Sequence, residues 1–303
     1  MSYLVIEPHL HELLEHVEAE NFQLLIAGGL GIYLKRRWVA RATADHGRKN
    51  LFDEIPDARA TDDIDAFLGM EIFLREPSDG VVRVRALLEK LGYEPFEKAR
   101  YFQFLKGRDG GGKVKVDLHS RLPRDGETNL IRIDPPRLGR RGHSAFRTLH
   151  AWATPEAFAI EEQVQELNLS LTTTAGAVAV NVRIPHPFAS LCMKIRASLD
   201  HERTPPAERF ARNDRHAFDV YLLMTMLDES EFMQVQQLAG QFPLDLAASE
   251  ISAGIRELFA NSESPGCHAI RREMKRGAQQ HEPELSRFCH LLEELFLGGA
   301  SAS

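Results

Sequence analysis

The chain is short of several things, and each shortage excludes a class of protein. Its 303 residues hold three cysteines, Cys192, Cys267 and Cys289. They are odd in number, far apart in sequence and not in metal-ligand spacing, which argues against a disulfide scaffold or a zinc module. Reduced, buried thiols in a cytoplasmic protein are expected instead. No uninterrupted apolar run approaches the roughly 18 residues that a membrane helix needs. Residues 1–10 contain Glu7 and His9 and lack the basic-then-apolar order of a secretory signal. Positive charge is not in excess: 37 Lys and Arg face 44 Asp and Glu, for a formal net charge of −7 and a pI near 6.0. That balance excludes a nucleic-acid coat protein and leaves room for a local basic groove. There is no internal repeat. What remains is ordinary for a soluble globular chain, 43% hydrophobic and 27% charged, and long enough for two domains.

The informative stretch is residues 59–68, Arg-Ala-Thr-Asp-Asp-Ile-Asp-Ala-Phe-Leu. It reads as a strand with an acidic first half and an apolar second half. Asp63 and Asp65 are two apart, so both leave a strand by the same face, and Ile64 points to the core. Two carboxylates side by side repel unless a cation lies between them. Oxygen ligands of this kind favour Mg²⁺ or Mn²⁺.

Around this strand the chain alternates helix and strand signals. Residues 8–20 carry apolar positions at helical spacing, residues 22–27 form a short apolar run, and Gly28-Gly29-Leu30-Gly31 follows before a helical pattern resumes at Ile32. Glycines opening a helix let a phosphate approach backbone N–H groups; the plainer reading is a tight turn. Residues 39–60 are charged and poor in periodicity, and read as a loop or mobile excursion. Residues 81–91 form an amphipathic helix closed by Gly92. Residues 93–96 and 101–105 read as strands, and 107–112 as a glycine-rich hairpin loop. Residues 113–119 alternate, with Lys113, Lys115, Asp117 and His119 on the polar face. Asp117 is thus a third acid able to join the first two. Residues 121–147, rich in Arg, Pro and Gly, read as a linker. Residues 167–171 and 175–184 read as paired strands. Helical character begins at Pro187, with Phe188, Leu191, Cys192 and Ile195 on one stripe, and further helices are expected over 207–227, 231–240, 245–260 and 282–297, with a frayed tail at 298–303.

A Gly-Gly turn, then Thr61-x-Asp63-Ile-Asp65, then an apolar-flanked Asp117 resembles the nucleotidyltransferase superfamily that includes DNA polymerase β. Within it the sequence is most similar to the AbiE-type toxin nucleotidyltransferases, through Leu25-Ile26-Ala27-Gly28-Gly29, residues 59–65, Val114-Lys115-Val116-Asp117, the helix around Lys194-Ile195-Arg196-Ala197, and Arg215–Leu223. The resemblance spans residues 20–225. It departs from the pattern in a long gap between Gly29 and Thr61, and in His216, which stands where an acid is usual.

The resemblance implies an α+β fold: a nucleotidyltransferase core with a small mixed β-sheet and flanking helices in residues 1–150, then a mostly helical domain in residues 151–303 that completes the cleft. It implies that Asp63, Asp65 and Asp117 hold Mg²⁺ or Mn²⁺, and that Gly28, Gly29, Thr61 and Lys194 bind a nucleoside triphosphate. Three such acids can hold two ions about 4 Å apart. The implied reaction transfers a nucleotidyl group to an acceptor hydroxyl. The implied acceptor is RNA, particularly a tRNA 3′ end, in a toxin–antitoxin or phage-defence setting with a cognate antitoxin protein. An antibiotic or a protein as acceptor, or a non-catalytic nucleotide-binding module, are the alternatives. Plainer readings stand beside several assignments: a solvated side chain for Lys194, an internal salt-bridge partner for Asp219, a plain strand residue for His119, and core packing for Tyr33, Phe67 and Tyr101. Basic residues near Lys35, Arg48 and residues 121–147 would have to line one face to hold RNA.

Overall fold

The computed structural model describes residues 6–19, 22–59, 61, 63–74, 79–108, 111–141, 149–205, 214–241, 246–277 and 282–298. The fold is α+β, with a mixed sheet and a helical second half, and divides into two compact units. One comprises Met1–Leu34 with Ala60–Pro185, the other Lys35–Arg59 with His186–Ser303. No helix among the described residues is long and apolar enough to cross a membrane. Asp62, Arg147, the expected helix start at 207 and the tail beyond Gly298 lie outside the described residues.

The first unit begins with α1 (Glu7–Ala19), β1 (Leu24–Ala27) and the start of α2 (Gly28–His46). After the excursion come β2 (Asp63–Leu68), α3 (Glu71–Leu74), α4 (Asp79–Lys90), β3 (Glu94–Pro95), β4 (Gln103–Gly107) and β5 (Lys113–Ser120). Strands β6 (Ile131–Asp134), β7 (Arg137–Arg140), β8 (Ala151–Ala153), β9 (Val164–Thr173) and β10 (Gly176–Pro185) complete it. The main sheet runs β1-β2-β5-β8-β7-β6, with β4 also on β5 and β3 on β4; β9 and β10 form a separate antiparallel pair. β2 is central, antiparallel to β1 and parallel to β5.

Alternation decides which side of β2 and β5 is dry. Ala66 and Leu68 of β2, and Val116 and Leu118 of β5, share an apolar space with Leu13 of α1 and Leu87 of α4. Two amphipathic helices therefore cover one face of these strands. Ile64 is fully buried, an arrangement that contributes about 1.5–3 kcal/mol. The residues between these positions occupy the opposite face. α4 ends as its sequence requires, with Gly92 at φ 77° just beyond it.

Two stretches read as irregular are structured. Residues 121–147 contain β6 and β7, which extend the sheet. Their strands are four residues long and interspersed with arginine, too short for alternation to register. Residues 39–46 are the last turns of α2, with Val39 fully buried. Beyond them Phe52 is 2% exposed, and the Leu51 N–H donates to the Leu227 carbonyl at 2.7 Å. Arg48 bridges Asp228 and Glu231, both at 2.6 Å. The partners of this segment lie far along the chain, where local periodicity does not report them.

The second unit continues through α5 (Pro187–Arg203), α6 (Asp214–Thr225), α7 (Glu229–Gln241), α8 (Leu246–Leu258), α9 (Pro265–Arg276) and α10 (Leu285–Leu297). Pro187 opens α5, and the His186 ring accepts the Phe188 N–H. α9 is absent from the sequence reading; it buries Cys267, Ala269, Ile270 and Met274 among charged neighbours. All three cysteines are buried, and Cys267 and Cys289, distant in sequence, lie 3.4 Å apart at sulfur. β10 packs beside β1, so the first unit runs on to Pro185.

Two histidines carry a pH dependence. Burial, with Arg137 as the next contributor, lowers His150 to about 4; burial, with Lys194 next, lowers His216 to about 4. An unfolded histidine titrates near 6.5. Between those values the unfolded chain binds more protons, so the stability these neutral rings contribute is complete above pH 6.5 and lost as pH falls towards 4. Urea denaturation midpoints across that window are expected to fall with pH, and His150→Phe, which keeps the stack on Tyr101, to flatten the fall. An unchanged slope in the variant contradicts the assignment.

Candidate functional site

The polar face of β2 and β5 is built from three cross-strand rows. The parallel register sets Asp63 opposite Lys115, Asp65 opposite Asp117, and Phe67 opposite His119. All six positions share one face because they alternate with buried Ile64, Ala66, Val116 and Leu118. Two acids standing directly opposite would repel. Lys115 relieves this: its Nζ lies 2.7 Å from Asp117 Oδ2 and 3.2 Å from Asp63 Oδ2. Burial disfavours its charge, but the hydrogen bond and charge of Asp117, with Asp63 behind, hold the Lys115 ammonium above its usual range.

Asp117 is 8% exposed, and its Oδ1 is buried without a hydrogen-bond partner. Burial pushes its carboxyl up, and Lys115 only partly offsets this. Asp65, Asp117 and His119 each offer one donor atom within 4.8 Å of the others. His119 Nε2 is 3.6 Å from Asp65 Oδ1, and its ring stacks on Phe67 at 5.0 Å. An orphaned carboxylate oxygen, a second carboxylate and an imidazole are a donor set that fits a divalent cation.

The glycine turn belongs to the same constellation. Ala27, the last residue of β1, pairs with Asp65, so Gly28 falls beside that carboxylate. Gly28 has φ 61°, and a Cβ there would lie 1.6 Å from Asp65 Oδ2. Gly31 sits one turn on, where a Cβ would lie 2.5 Å from the Ile26 carbonyl, so α2 starts hard against β1. Gly28 and Gly29 are the first residues of α2, at its positive end. Thr61 Oγ1 accepts the Asp63 N–H at 3.4 Å and steadies the entry to β2.

Asp65 and Asp117 are therefore brought together with Gly28, while Asp63 joins through Lys115 rather than as a member of the convergent donor group. Lys194 lies in the second unit, 9% exposed, so it is not a solvated lysine. Its Nζ is 2.8 Å from Asp219 Oδ2, and Arg59 grips the same carboxylate with two hydrogen bonds of 2.9 and 2.8 Å. Burial opposes the Asp219 charge, yet Lys194 and Arg59 hold its carboxyl far below the usual range. The partners are Lys194 and Arg59; Arg215 instead approaches Glu273 at 3.9 Å. Of the aromatics, Phe67 is buried, Tyr33 donates to Glu7 and Tyr101 stacks on His150.

Several of the cations considered for a basic face are in ion pairs. Lys35 is 1% exposed and paired with Glu231 at 2.7 Å, and Arg121 is 4% exposed between Glu127 and Glu161. Arg48, Arg124 and Arg137 are also in ion pairs. The functional residues that sequence reading overlooked are Lys115, whose alternation with Asp117 was its available signal, and Arg59, whose partner is 160 residues away.

No protein-family model matches this chain, and no curated protein matches it. Among solved structures, the antibiotic-resistance factor ANT(2'')-Ia is 18% identical, over 80% of this chain and 94% of that one, with a TM-score of 0.36. An antigenic nucleotidyltransferase-like protein from Paracoccidioides brasiliensis is 13% identical, over 96% of this chain and 94% of that one, with a TM-score of 0.41. Likenesses of this size do not fix a function.

Gly28 separates strain from collision. Gly47 has nearly the same φ, 64°, with nothing within 4 Å of its Cβ position. Gly47→Ala is expected to cost about 1–3 kcal/mol for the left-handed backbone alone. Gly28→Ala adds the clash with Asp65 and should cost more in chemical denaturation. Equal costs would show that Gly28 does not hold Asp65 in place.

Proposed function

We propose that this protein is a metal-dependent nucleotidyltransferase, which moves a nucleotidyl group from a nucleoside triphosphate to an acceptor hydroxyl. The observation that carries the reading is the direct opposition of Asp65 and Asp117 across β2 and β5, with Gly28 closed against Asp65. Facing carboxylates, an orphaned buried oxygen and a helix N-terminus suit a phosphorylated, metal-bound substrate better than they suit a stability element. A divalent ion at these acids would neutralise phosphate charge and favour the alkoxide form of an acceptor hydroxyl. Asp65 and Asp117 would hold that ion, Asp63 would add charge beside them, and Asp117 would help take the acceptor proton. The Gly28 and Gly29 amides would bind phosphate oxygens, with Thr61 shaping the approach to Asp63. Lys194 is a triphosphate contact in this reading; two cations on the single Asp219 carboxylate leave a net positive charge for a phosphate.

The acceptor follows from the family resemblance: an RNA 3′ end such as that of tRNA, with the protein as the toxin of a pair and a neutralising partner. Lys35, Arg48 and Arg121 are paired internally, and the RNA acceptor rests on the resemblance.

Incubation with α-labelled nucleoside triphosphates and cellular RNA tests the reading. Label is expected on RNA, and Asp63→Ala or Asp65→Ala should lower transfer about 100-fold or more while circular dichroism stays native. Label on a protein or an aminoglycoside instead would replace the acceptor. Undiminished transfer by both variants would remove the acids from the chemistry.

A further inference from the structure

Two residues flank Asp117 on the polar face of β5. His119 continues the row below Asp117, and Lys115 the row above it. Both are fixed. His119 stacks on Phe67 with planes 19° apart, and its Nδ1 lies 3.4 Å from Thr154 Oγ1. The Thr154 hydroxyl donates to the Trp152 carbonyl, which leaves its oxygen able to accept an Nδ1–H. Nε2, the other ring nitrogen, faces Asp65. Thr154 is 7% exposed.

Lys115 divides the oxygens of Asp117. Oδ2 accepts from the ammonium, while Oδ1, buried, has no partner. The ammonium also reaches Asp63, so it already lies between the two acids that a second ion would have to bridge.

We propose that this site holds one divalent ion, bound by Asp65, Asp117 and the His119 Nε2 atom, with the Lys115 ammonium standing in the place of a second ion. It rests on the reading of this face as a metal site, and departs from a three-carboxylate, two-ion arrangement. An imidazole among the ligands raises affinity for Mn²⁺ over Mg²⁺ beyond what carboxylates alone provide. Thr154 is a positioning residue that acts through the His119 ring.

Mn²⁺ titration of the full chain without nucleotide, followed by electron paramagnetic resonance, counts the ions and identifies the ligand. The wild type is expected to bind one Mn²⁺ and to show electron spin-echo modulation from a directly coordinated imidazole nitrogen. His119→Gln should abolish that modulation and weaken Mn²⁺ binding about tenfold or more, with a smaller effect on Mg²⁺. Thr154→Val should retain the modulation with altered coupling. Lys115→Met, similar in length and uncharged, should bind a second Mn²⁺. Two ions in the wild type, absent nitrogen modulation, or a single ion in Lys115→Met each overturn the proposal while leaving a metal site in being. No Mn²⁺ bound by a folded wild type refutes the metal site itself.

Discussion

Two like charges held face to face are the constraint on which the first unit turns. Asp65 and Asp117 are direct partners across a parallel strand pair. Unit charges about 4 Å apart interact by roughly 4 kcal/mol at the effective dielectric near a protein surface, so the chain must hold together what electrostatics separates. The apolar residues that alternate with the acids do this. They hold one face of β2 and β5 against two helices, and the register they set cannot slip by one residue without turning the acids into the core. Lys115, Gly28 and His119 are then placed by the same register: one as counter-charge, one as a gap where only hydrogen fits, one as a ring braced by Phe67.

The second unit solves a related problem with the opposite sign. Asp219 is almost wholly buried and holds two cations, Arg59 from the excursion and Lys194 from α5. Removing the carboxylate would leave both cations without their shared partner, the costly way to break a buried pair. Lys35, Glu231, Arg48 and Asp228 form a comparable network that fastens residues 35–59 to α7. The charged excursion is therefore an integral part of this unit, and its arginines answer to acids rather than to solvent.

How far the sequence discloses this depends on the range of the interaction. Period-two alternation disclosed β2 and β5 and the polar-face positions of Asp63, Asp65 and Asp117, while the α+β class came with the family resemblance. The α4 helix with Gly92 behind it was equally plain, since its signals lie within a few residues. The Lys115 counter-charge was visible as a same-face neighbour, but its partner acid on β2 becomes evident only once the strands are paired. Arg59, Arg48 and Arg121 were read as solvated or as a basic surface because their acids lie 6 to 183 residues away. β6 and β7 were too short and too arginine-rich for alternation, and the buried stripe of α9, Cys267, Ile270 and Met274, lies among many charges and went unread.

The central claim is that the Asp65–Asp117 pair holds a cation beside a bound nucleotide. The most direct measurement is anomalous diffraction from crystals grown with Mn²⁺ and a non-hydrolysable nucleoside triphosphate. The account predicts an anomalous peak coordinated by both Asp65 and Asp117, with triphosphate density against the Gly28-Gly29 turn. A peak elsewhere, or nucleotide bound away from this face with Lys115 still the only cation between the acids, would contradict it.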